Sequence, residues 1–155
     1  RIMQKLQFKK DIKAPAHKVY DAMLGLTDKS TYAFWTAAFN PTSTFEGSWD
    51  KGHKILFVGT DQNGKKGGMV SLIEEHLPAK FVSIKHYGFL DGDTEITTGE
   101  QVEKWAGGHE NYTFFEQNGI TTLTVDLDSI EEYADYFKTL YPKALDLLKE
   151  ISEKQ

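Results

Sequence analysis

The sequence predicts an α+β fold in which a curved, seven-stranded antiparallel sheet is wrapped around one long C-terminal helix. Three observations predict it. Short runs of alternating apolar and polar residues are separated by turn signals, which is the pattern of half-buried antiparallel strands. Two short helical segments follow the first such run. The chain closes on an apolar stripe at helical spacing that lasts about five turns. A sheet of this size cannot cover its inner face with two short helices, so the terminal helix must lie across it.

The first strand is "LQFKKDI", with Leu6, Phe8, Lys10 and Ile12 on one face. Lys10 is the anomaly on that face. Pro15 suits the first turn of a helix, and "AHKVYDAML" places Val19, Tyr20, Met23 and Leu24 on one side until Gly25 ends it. A second helical segment sets Tyr32, Trp35 and Phe39 on one face and stops at Pro41. Six strands are then expected at Thr42 to Phe45, Lys54 to Gly59, Gly68 to Glu75, Lys80 to Leu90, Asn111 to Gln117 and Ile120 to Leu127. Asn118-Gly119 between the last two is a strong hairpin signal, because both residues tolerate positive φ. The polar stretch Asp91 to Gly108 is long for a hairpin loop and reads as a lid or an excursion of the sheet. For the terminal helix, Ser129 and Glu132 form a capping-box pattern, and Tyr133, Phe137, Leu140, Ala144, Leu147 or Leu148, and Ile151 form the stripe. Pro142 should kink or split that helix, since it has no N–H for the Lys138 carbonyl.

Composition narrows the functional classes. A chain of 155 residues is expected to form one domain, 1–155. With 18 Lys and Arg against 23 Asp and Glu, and no basic stripe, neither nucleic acid nor an anionic membrane surface is an expected partner. The absence of cysteine excludes a thiol nucleophile, a thiolate metal site and a disulfide framework. No apolar run is long enough to insert into a membrane, and "RIMQKLQFKK" has no apolar signal core, so the cytoplasm is the expected location. The distinctive feature is 13% aromatic residues. Flat rings contribute large buried area and leave irregular gaps between them.

Several stretches, taken in order, resemble a known family. They are "IKAPAHKVYDAML", "YAFW", "GSWDKGHKILF", "NGITTLTVDLD" and "KALDLLKEISE". Together they are similar to the START-like (SRPBCC) superfamily with its helix-grip fold, which includes the birch-pollen-allergen type of ligand binder. The nearer likeness is to its bacterial branch, the heat-shock protein 90 ATPase activator-like family. The resemblance implies an enclosed space between sheet and terminal helix. It implies no catalytic residues, because the family has no shared catalytic signature. The Asp91–Gly108 stretch and Pro142 depart from the family pattern.

Candidate chemistry is sparse. The histidines His17, His53, His76, His86 and His109 show no metal-ligand spacing within one element, so neither a metal nor a cofactor is expected. His86 shares the parity of Val82, Ile84 and Leu90. Of Glu110 and Glu116, which flank "NYTFF", Glu116 shares the parity of Tyr112 and Phe114 and is the better candidate for a buried acid. In "FEGSWDKGHKILFVG", Gly47 and Gly52 permit a hairpin and Trp49 covers an edge or faces inward.

Three functions fit. The first is capture of a small apolar or aromatic molecule by a monomer or weak dimer. Its pocket would be lined by Trp35, Phe39, Trp49, Phe57, His86, Tyr112 and Phe114, with Tyr133 and Phe137 from the terminal helix. The second is a protein-interaction or stress-response module like the domain that names the family, with an exposed patch around Trp105. The third is a cyclase- or aromatase-like enzyme built on His86 and Glu116. The balance favours a binder over an enzyme.

Overall fold

In a computed structural model that describes residues 3–155, strand β1 (Gln4–Ile12) leads into helices α1 (Ala16–Leu24) and α2 (Lys29–Thr36). Gly25 closes α1 in the left-handed conformation, φ 66°. The Asp28 carboxylate caps α2 by accepting from the Ser30 N–H at 3.0 Å. Strands β2 (Thr44–Gly47), β3 (Lys54–Thr60), β4 (Lys66–Leu77), β5 (Phe81–Asp91) and β6 (Thr94–Ile96) follow. A one-turn helix α3 (Glu100–Glu103) precedes β7 (Gly108–Gln117), β8 (Ile120–Ser129) and the closing helix α4 (Glu131–Ser152). Arg1 and Ile2, counted in the expected domain, lie outside the described residues.

All strand pairs are antiparallel, in the order β1-β8-β7-β5-β4-β3-β2, with β6 added to β5. The sheet therefore has eight strands instead of the expected seven. The eighth arises in the polar excursion, where Thr94–Ile96 folds back on Phe89–Asp91. That segment lacks apolar alternation and pairs through its backbone, which no sequence pattern reports. At the β7–β8 hairpin, Asn118 and Gly119 have φ of 55° and 77°.

Helix α4 packs against β1, α1 and α2. Its buried face is Ala134, Tyr141, Ala144, Leu145 and Leu148. This is rotated from the expected stripe: Tyr133 is 53% exposed and Tyr141 is buried. Each fully buried Leu or Ile stabilises by about 1.5–3 kcal/mol. Pro142 faces solvent and the helix runs through it without a break. The expected capping box does not form, because Ser129 ends β8 as a buried residue and its Oγ donates to the Ile130 carbonyl at 2.8 Å. Ile130 takes the N-cap position with no side-chain bond. Lys10, the anomaly of β1, forms an ion pair with Asp146 of α4, so its charge ties the first strand to the last helix.

Two bulges interrupt the β4–β5 ladder, between Val70 and Ser71 and between Ile73 and Glu75. The first leaves Tyr87 without a partner and sets Ser71 opposite His86. Beyond it the phase shifts. Leu90, expected beside His86, instead packs with Val58 and Val70 in a separate small cluster.

Candidate functional site: an aromatic cavity with a half-buried carboxylate

A cavity of about 1000 Å³ lies between the curved sheet and α4. Helix α2 supplies Tyr32 and Trp35, and Phe39 follows at its C-terminal end. The Trp35 ring is fixed from behind, since its Nε1–H donates to the Met23 carbonyl at 2.9 Å. Strand β3 supplies Phe57, β5 supplies His86, and β7 supplies Glu110 and Tyr112. Helix α4 contributes Phe137 and Tyr141 inside and the exposed Tyr133 and Tyr136 at the rim. Exposed Gln101, Lys104 and Glu132 complete the rim, so the cavity reaches solvent there.

Of the residues expected to line a pocket, Trp35, Phe39, Phe57, His86, Tyr112, Tyr133 and Phe137 surround this cavity, Tyr133 only at its mouth. Trp49 and Phe114 do not. Trp49 is buried among the rings of Tyr32, Phe45 and Phe57 and faces a second, smaller hollow beside Tyr20 and His76. Phe114 sits under α1, edge-on to Tyr20 at 5.9 Å. Trp105, around which an exposed patch was expected, is half-buried and lines the large cavity beside the exposed Gln101 and Lys104.

The two acids of the lining that are most shielded from solvent are Glu110 and Asp128, each half-buried, and Glu110 is the one set among the rings. Its Oε1 lies 2.9 Å from His86 Nε2, the Tyr112 hydroxyl lies 3.4 Å from its Oε2, and the Tyr141 hydroxyl donates to the same oxygen. Burial drives the Glu110 carboxyl upward. The His86 contact and then the Tyr141 and Tyr112 hydroxyls outweigh this and hold it below the ordinary carboxylate value. Burial, with the Glu110 charge second, pushes both tyrosines well above the usual phenol range, so they remain donors. Glu116, the sequence-based candidate, is exposed and accepts from the Ala16 N–H at 2.7 Å, which stabilises the start of α1. Parity alone admits both glutamates. What separates them is depth: Glu110 lies between Ile84 and Leu127 in the middle of the sheet, and Glu116 pairs with Thr121 near a hairpin end.

Ser71 Oγ is 2.6 Å from His86 Nδ1, which completes a serine–histidine–glutamate chain. His86 Nε2–H donates to Glu110 Oε1, and the direction of the Ser71–Nδ1 bond follows the state of the ring. Ser71 is fully buried and does not line the cavity. Its hydroxyl orients His86 and cannot meet a guest as a nucleophile. Among the described residues, no group of three or more histidines and acids is placed to hold a metal ion.

Comparison with known proteins bears on the architecture. No family model matches the chain, and no curated protein matches it. Solved structures do. A protein from Nitrosomonas europaea superposes with a TM-score of 0.69 at 15% identity, over 95% of this chain and 92% of that one. The Aha1 dimer from Colwellia psychrerythraea gives 0.63 at 20% identity, over 97% and 95%. The fold is a helix grip. CalU16 from Micromonospora echinospora gives 0.66 at 14% identity over 97% of this chain, which spans 66% of the CalU16 structure. At these identities the likeness establishes the fold alone. Among the described residues no helix is long and apolar enough to cross a membrane.

Proposed function

We propose that the protein binds a small, mainly apolar molecule in the cavity between its sheet and α4. The observation that carries this reading is that a space of about 1000 Å³, open to solvent, lies between sheet and α4 with aromatic side chains forming much of its wall and polar residues the rest. Protein interiors ordinarily pack to the density of organic crystals, so an unfilled ring-lined space with an opening is the mark of a ligand site. The few polar groups gathered at Glu110 supply orientation, and the rings supply apolar contact.

A thermal-shift panel of lipids, sterols and flavonoid-like aromatics tests this reading. A ligand present at one hundred times its dissociation constant stabilises the fold by about 2.7 kcal/mol and raises the melting temperature accordingly. Unchanged melting curves across the panel would overturn it.

A further inference from the structure

We propose that the guest of this cavity is an organic cation: an apolar, preferably aromatic, body carrying a protonated amine that docks against Glu110. The inference rests on the cavity being a ligand site and adds the chemical class of what enters it.

The polar hydrogens around Glu110 are already used. His86 is engaged at both ring nitrogens, by Glu110 and by Ser71. The Tyr112 and Tyr141 hydroxyls donate to the carboxylate. The Trp35 N–H donates to a backbone carbonyl. The Tyr32 hydroxyl, together with the Tyr133 and Tyr136 hydroxyls and the Trp105 N–H, remains as a neutral donor in the lining. The lysines of the lining are also committed: Lys65 pairs with Asp91, Lys66 with Glu46 at 3.1 Å and Lys104 with Glu132 at 4.0 Å. The cationic side chains of the lining are thus the ion-paired lysines and His86, which already faces Glu110, and an anionic guest would in addition meet the charges of Glu110 and Asp128.

A cationic guest meets the opposite situation. The carboxylate and the oxygen lone pairs of Tyr112 and Tyr141 are acceptors, and an ammonium group brings three donors. The surrounding rings add a second attraction. Trp35 lies 6.4 Å from Tyr112 and 6.3 Å from Tyr141, centroid to centroid, and all three line the same space as Glu110. Ring faces attract cations, most strongly where water is excluded. Carboxylate and aromatic wall therefore select the same charge.

The test is calorimetric titration with three probes that share one ring system: 2-(2-naphthyl)ethylamine, 2-(2-naphthyl)ethanol and 2-naphthylacetic acid. The parent protein is expected to bind the amine at least tenfold more tightly than the alcohol, and the acid most weakly. Glu110→Gln is expected to abolish the amine's advantage and to leave the alcohol's affinity within about threefold. Tyr141→Phe, which removes a competing donor and keeps the charge, is expected to retain the preference for the amine. The parent's ranking needs no variant, so it decides the matter even if Glu110→Gln fails to fold. Alcohol or acid binding as tightly as the amine would overturn the cation assignment and leave the cavity as a ligand site. Failure of all three probes, together with flat melting curves across the apolar panel, would overturn both.

Discussion

Glu110 and Glu116 stand on the same face of β7 by alternation, yet one is half-buried among aromatic rings and the other caps a helix at the surface. The difference follows from register with β5 and β8, which no single strand's pattern contains. Tyr141 was equally hidden, because the apolar stripe of α4 can be drawn through Tyr133 and Phe137 without it. The half-buried carboxylate of Glu110 has a consequence for stability. Its folded-state pKa lies below the ordinary 4.5, so its contribution is complete above that value and is lost as pH falls through the lower folded value. Glu110→Gln is expected to cost about 2 kcal/mol near pH 7, the scale of hydrogen bonds to a charged group. Urea midpoints for parent and variant should converge as the pH is lowered below 4.5, and a gap independent of pH would contradict the assignment.

The elements were legible to different degrees. The Asn118-Gly119 hairpin and the Gly25 helix end are local chemistry, and both stand where the sequence puts them. Strand β6 and the β4–β5 bulges depend on partners elsewhere in the chain, and local alternation does not reveal them. The Ser129 signal misled for a related reason: β8 continues to that residue, so its side chain is buried before the helix begins. In β4, Gly68 adopts φ +137° with its α-carbon pressed on the neighbouring strand, and an added Cβ would stand 1.8 Å from the Phe57 carbonyl oxygen. Only glycine fits both the angle and the space. Gly68→Ala is therefore expected to destabilise by about 3 kcal/mol or more, measured by chemical denaturation. A loss under about 1 kcal/mol would mean that β3 and β4 are less closely apposed than described.

At the scale of the molecule, the α+β order was readable because strand alternation, turn residues and a terminal amphipathic helix are each written locally. The unfilled interior was not. It depends on how rings from α2, β3, β5, β7 and α4 meet across the fold, and the same composition fits a packed core equally well. Seven of the expected lining residues come together because their elements curve around one space. Trp49 and Phe114 belong to neighbouring layers. The most direct measurement is mapping of NMR shift changes while 2-(2-naphthyl)ethylamine is titrated into isotope-labelled protein. The account predicts the largest changes at Trp35, Phe57, His86, Glu110 and Tyr141. Changes confined to exposed residues remote from the cavity, such as Leu77, Phe115 and Ile120, would contradict it.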